Sequence, residues 1–136
     1  MPPDARLADT RGWLRRARDD LRGAEVDLAA TPPLAGDAAF HCQQAAEKAL
    51  KAVLAWQDVP FRKTHDLAEI GQQCARLDAS LEPLCRRAER LTPFAWIFRY
   101  PGDVEDPSAD EVREALALAR AVYDAVVTRL PADARP

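Results

Sequence analysis

Apolar residues recur along this chain at helical spacing, and prolines and turn residues interrupt the runs. The first run covers about Asp9 to Ala30, with Trp13, Ala17, Leu21, Ala24 and Leu28 forming one stripe, and Thr31-Pro32-Pro33 closes it. A second helix is expected over about Ala38 to Asp58, with Asp37 as its N-cap and Val59-Pro60 as its stop. Leu67, Ile70, Cys74 and Leu77 form a third pattern, introduced by Asp66 and Glu69 in capping-box spacing. A fourth, Leu81, Leu84, Ala88 and Leu91, runs into Pro93, and the aromatic run Phe94 to Phe98 is too short to assign by period. Ser108 and Glu111 form a second capping box before the last helix, about Ala109 to Leu130, which carries Val112, Leu116, Ala119, Tyr123, Val126 and Leu130 on one face.

Short connections between these helices favour antiparallel neighbours, so the expected fold is all-α, an up-and-down antiparallel bundle of four to five helices. Composition agrees: Ala, Leu, Arg, Asp and Glu dominate, β-branched residues are sparse, and most of the eleven prolines fall where helices start or stop. The 136 residues are expected to form a single domain, with an ordered core over about 9–130 and a frayed tail from Pro131 to Pro136.

A net charge of −3 supplies no bulk positive field for nucleic acid or an anionic membrane, and the clusters Arg15-Arg16-Arg18 and Arg86-Arg87-Arg90 read as solvated faces. Cys42, Cys74 and Cys85 are odd in number and lack ligand spacing, which predicts free buried thiols, a reducing compartment and no structural zinc. Neither an apolar signal region nor a run near the roughly 20 residues needed to span a bilayer is visible, so a cytoplasmic location without membrane attachment is expected. No cofactor and no metal site are read from the sequence.

The second helix is the most informative. On a helical wheel, Cys42, Ala45, Ala46, Ala49, Leu50 and Val53 share a broad apolar face, while His41, Gln44, Lys48 and Lys51 share a narrow arc opposite. That arc is either a solvated face or a site for a phosphate or carboxylate partner. Glu47 stands four residues before Lys51, the spacing of a helical ion pair. His65, between Thr64 and Asp66, reads as a turn organiser, with ligand binding as the alternative. Arg99 and Tyr100, in the loop Arg99-Tyr100-Pro101-Gly102-Asp103, are candidates for phosphate binding and base stacking; the plainer alternative pairs Arg99 with an acid and packs Tyr100 on the last helix.

The run Phe40-His41-Cys42-Gln43-Gln44-Ala45-Ala46-Glu47-Lys48-Ala49-Leu50-Lys51-Ala52, followed by Thr64-His65-Asp66-Leu67 and later by Arg99-Tyr100-Pro101, closely resembles the HEPN signature. The resemblance extends over about residues 10 to 130. It implies a helical bundle that pairs into a homodimer around a central cleft, and a minimal nucleotidyltransferase as partner in a toxin–antitoxin-like pair. Many HEPN proteins are metal-independent ribonucleases whose Arg, followed after four to six residues by His, holds phosphate while the imidazole moves protons.

This chain departs from that pattern. No Arg precedes His41 or His65 at the required spacing, and Val104, Glu105 and Asp106 occupy the positions after Arg99 where a His is expected. A carboxylate does not reproduce an imidazole that donates and accepts near neutral pH. The leading reading is therefore a module that binds a nucleotide, RNA phosphate or a nucleotidyltransferase through Gln44, Lys48, Lys51, His65, Arg99 and Tyr100. The enzyme reading is a ribonuclease toxin with a divergent site, its catalytic candidates being Arg99, His41 and Glu105. A bundle that serves only to dimerise is a third reading.

Overall fold

The computed structural model describes residues 1–102 and 104–136, so of the predicted Arg99–Asp103 loop only Asp103 lies outside the described residues. Five α-helices follow in order: α1 (Pro3–Ala29), α2 (Ala35–Trp56), α3 (Leu67–Leu77), α4 (Glu82–Ala88) and α5 (Ala109–Arg129). Single-turn 3₁₀ segments at Ala79–Leu81 and Ala132–Ala134 and a longer one at Glu89–Ala95 complete the described secondary structure, which contains no strand.

Helix α1 runs antiparallel to α2: Arg6 lies over the Trp56 ring, Lys51 over Trp13, Lys48 bonds Asp20, and His41 faces Asp27. It is also antiparallel to α5, since Arg120 pairs with Glu25 and Arg11 reaches the Asp133 carbonyl just beyond α5. Helix α2 is the axis of the bundle. It packs against α1, α5, α3 and the 89–95 segment, and fifteen of its 22 residues are buried. Its many alanines permit that crowding, because side chains no larger than a methyl let several helices approach one backbone at once.

Several local expectations hold and several are corrected. Asp66 caps α3 by accepting from the Ala68 amide, and Ser108 caps α5 by accepting from Glu111. The box at Asp66 does not close reciprocally, because its backbone amide goes to the Thr64 hydroxyl and Glu69 is held by Arg62. Asp37 is not the N-cap of α2. The helix starts after Leu34, whose amide donates to the Asp27 carbonyl, and Asp37 sits in the first turn with its carboxylate facing Arg99 and His41.

Helix α1 begins at Pro3 rather than near Asp9, because proline at a first helical position gives up an amide that has no partner there anyway. The aromatic run continues a 3₁₀ segment into a turn, and Phe94 and Phe98 pack ring to ring at 5.6 Å. The expected frayed tail is instead docked: Ala134 is fully buried and the Asp133 carbonyl accepts from Arg11. At the far end of α2, amides of Asp58 and Val59 bond back to Ala55 and Leu54 in a Schellman arrangement, with Asp58 at φ 55° where glycine is the common occupant.

Candidate functional site

The polar residues of α2 form two clusters, interleaved along the helix. The first gathers where the start of α2 meets the end of α1. His41 Nδ1 lies 2.8 Å from Asp20 Oδ1, and the other Asp20 oxygen accepts from Lys48 Nζ at 2.6 Å. On the opposite edge of the imidazole, Nε2 faces Asp37 Oδ2 at 3.5 Å and Asp27 Oδ2 at 3.9 Å. Gly23 makes the approach of this ring possible, since a Cβ there would stand 3.2 Å from its Cε1 and Nε2 atoms.

Charge is concentrated in this cluster. Asp27 is 9% exposed, and its Oδ2 is buried without a hydrogen-bond partner. Burial, reinforced by the adjacent Asp37, pushes the Asp27 carboxyl up to about 6, while His41 pulls it the other way. The His41 pKa is raised in turn, chiefly by its bond to Asp20 and against the effect of burial. Asp37 joins two elements: one oxygen faces His41, and the other accepts from Arg99 Nη1 at 3.3 Å. The Arg99 guanidinium also lies 3.9 Å above the Phe40 ring, a cation–π contact that anchors it to α2.

The second cluster is built on Glu47, which is 3% exposed. Its Oε1 accepts from Gln43 at 3.0 Å and lies 2.7 Å from His65 Nδ1, and its Oε2 accepts from Lys51 at 2.9 Å. Gln44 Nε2 donates to the side-chain oxygen of Gln43, Oε1, at 2.6 Å. Trp13 and Phe61, packed edge to face, stand 5.4 and 5.5 Å from the Lys51 ammonium. A buried carboxylate, an ammonium and two aromatic faces thus satisfy one another inside the bundle.

The sequence candidates are therefore divided. Gln44 and Lys51 are buried, and Lys48 is tied to Asp20 of α1, so the arc that the wheel grouped is largely engaged within the bundle. A wheel ranks positions within one helix and is blind to a neighbour that covers the polar side as well. His65 keeps much of its ring in solvent while Glu47 holds one nitrogen. Of the two readings of Arg99 and Tyr100, the acid pair forms for Arg99, but Tyr100 is 78% exposed and does not pack on α5. Glu105 is exposed on the loop before α5.

A match to the HEPN domain family model covers residues 10–130 of the chain. The chain belongs to the HEPN family. No curated protein and no solved structure matches this HEPN chain significantly. HEPN membership accounts for the all-α bundle and for a role connected with nucleotides or RNA in general.

In this HEPN chain the tertiary structure brings together an arginine and a histidine that the sequence separates, because Asp37 faces both Arg99 and His41. Asp20 and Asp27 were missed in the sequence. Both lie on α1 within an ordinary run of charges, although the i,i+4 spacing of Asp37 and His41 was a usable signal. A groove of about 490 Å³ between Leu91, Phe94 and Leu118, rimmed by Arg87, Arg90 and Glu114, contains none of the sequence candidates.

Proposed function

We propose that this HEPN chain is a homodimeric module that binds the phosphates of a nucleotide or RNA at Arg99 and pairs with a minimal nucleotidyltransferase. The observation that carries the reading is Arg99 itself. Its guanidinium is fixed on Phe40 and makes one long bond to Asp37, which leaves most of its donor fork for an incoming phosphate. Trp96 and Tyr100, 51% and 78% exposed, lie three residues before and one after it in the chain and offer aromatic surface of the kind that stacks on bases or covers a partner. Lys48 and Lys51 contribute to such a site only if they exchange their carboxylate partners, so they rank below Arg99.

Fluorescence anisotropy with labelled single-stranded RNA and with a labelled nucleotide tests this reading. Binding should weaken with salt and fall strongly in Arg99→Ala, with a smaller loss in Tyr100→Ala. Wild-type affinity in both variants rejects it. Light scattering tests the homodimer, and co-expression with a minimal nucleotidyltransferase encoded beside this chain tests the pairing.

A second reading, the ribonuclease toxin with a divergent site, is favoured by one observation: Arg99 and His41 share Asp37. In that reading Arg99 holds phosphate and His41 moves the proton, with Glu105 as the other candidate. Against it, the His41 ring is held at Nδ1 by Asp20 and faces two further carboxylates, an arrangement suited to orienting a ring more than to cycling a proton. A time course on RNA in EDTA decides, with Arg99→Ala and His41→Ala purified identically. Cleavage lost in either variant establishes the enzyme, and no cleavage alongside RNA binding supports the module.

A further inference from the structure

We propose that Asp27, Asp37 and His41 form a binding site for a divalent first-row transition-metal cation, with Asp20 as the carboxylate that orients the imidazole. Each of the three residues offers one donor atom, and these three atoms all lie within 4.8 Å of one another. Zn–N and Zn–O bonds of about 2.0–2.2 Å around a tetrahedral centre place neighbouring donors about 3.4 Å apart. His41 Nε2 stands 3.5 Å from Asp37 Oδ2 and 3.9 Å from Asp27 Oδ2, too far for good hydrogen bonds and close to the edge of such a coordination triangle.

Asp27 gives the independent indication. A carboxylate oxygen that is buried and has no hydrogen-bond partner is costly, and this one is aimed at a second carboxylate and an imidazole nitrogen. Asp27 also occupies the last turn of α1, where the backbone carbonyls end and no basic residue offsets them. That end of the helix dipole repels an anion and attracts a cation. Bound metal satisfies the orphaned oxygen and the helix end together.

The imidazole is set for coordination. Asp20 lies 2.8 Å from Nδ1, so with the proton on Nδ1 the lone pair of Nε2 is directed at the two carboxylates. A carboxylate behind a ligating histidine is the usual outer-sphere arrangement of metal sites, where it fixes the tautomer and raises the basicity of the ring. Asp20 is held in turn by Lys48, which explains why an ammonium is directed into an interior cluster. One imidazole with two carboxylates suits Zn²⁺ and its neighbours, Mn²⁺ to Ni²⁺, better than Mg²⁺ or Ca²⁺, which prefer oxygen alone.

The site does not depend on the nucleotide-binding reading. Arg99 uses the other oxygen of Asp37, Oδ1, so a cation on Oδ2 leaves that bond in place. The test uses the full chain, stripped with a chelator, exchanged into chelator-free buffer and titrated with ZnCl₂ by calorimetry and with CoCl₂ by visible absorption. Saturable binding of one equivalent per chain is expected, with a cobalt spectrum of mixed nitrogen and oxygen ligation. Asp27→Asn and Asp37→Asn should each weaken binding by about tenfold or more, and Asp20→Asn, which removes no ligand, by about 10–100-fold.

Circular dichroism checks that each variant is folded. Asp37 is half-exposed in the first turn of α2, so its variant keeps the test informative if Asp27→Asn does not fold. Two results overturn the proposal: no heat above the buffer blank with no cobalt band, or saturable binding that Asp37→Asn leaves unchanged. The first makes the cluster an imidazolium among acids, and the second moves the cation elsewhere.

Discussion

His65 Nδ1 lies 2.7 Å from Oε1 of Glu47, a carboxylate whose other oxygen holds the buried ammonium of Lys51. Glu47 thus links the turn before α3 to the centre of α2. Removing one member of a buried ion pair leaves a charge without compensation, which costs about 3–5 kcal/mol, whereas replacing both members by well-packed apolar residues is often neutral or stabilising. Glu47→Ala should therefore lose about 3–5 kcal/mol, and the double variant Glu47→Leu/Lys51→Met should recover most of that loss. Urea denaturation followed by circular dichroism measures both. Equal destabilisation in the single and double variants rules out the pairing.

Helices α3 and α4 touch at Gly71, where a Cβ would stand 3.0 Å from Cys85 Cβ. Both residues are buried, so the added methyl has nowhere to go without shifting a backbone. Gly71→Ala should destabilise the chain by about 1–3 kcal/mol, although alanine is the better helix former. If it stabilises, the contact between these helices is looser than described.

Asp78 caps the 3₁₀ turn after α3 and meets Arg129 of α5 at 2.9 Å. Its carboxyl is held below the ordinary value, first by the Ser80 hydroxyl, then by the Ser80 amide, with Arg129 adding to both. A depressed carboxyl adds stability above its unfolded pKa, near 4, and that contribution disappears as pH falls through the lower folded value. Asp78→Asn should lower the melting temperature at neutral pH and converge with wild type in strong acid. A constant offset across the acid range would show that the charge is irrelevant.

The three cysteines are free and buried, and burial pushes Cys42 up to about 12 and Cys85 to about 11, with Cys74 raised as well. Only the thiolate reacts with alkylating and disulfide reagents. Native protein at mildly alkaline pH should therefore titrate slowly with a disulfide reagent, while all three thiols react promptly in denaturant. A rapid phase in native buffer would identify a thiol that the bundle does not protect.

Much of the fold was legible in the sequence because helices advertise themselves locally. Stripe spacing, the Asp66 and Ser108 caps and the prolines located the five helices, with the start of α1 set six residues late, and the Phe40–Ala52 run with Thr64–Leu67 carries the HEPN resemblance. The 3₁₀ course of Glu89–Ala95 was less legible, since residues crossing Pro93 have no long period to read. The start of α2 was misplaced because Asp37, a good capping residue by type, is drawn instead to Arg99 and His41.

The sequence by itself determined which residues could be helical, which faces are apolar and which family the chain resembles, all of which depend on neighbours within a few turns. Tertiary structure decided what the polar residues do. Lys51 looked solvent-facing on the wheel and is buried, because α1 brings Trp13 over the side of α2 opposite its alanines. His41, which the wheel grouped with Gln44, Lys48 and Lys51, is ringed by Asp20, Asp27 and Asp37, two of which come from another helix. Burial and charge pairing depend on which surfaces meet across the bundle, and that meeting follows from the packing of whole helices, not from any spacing inside one of them.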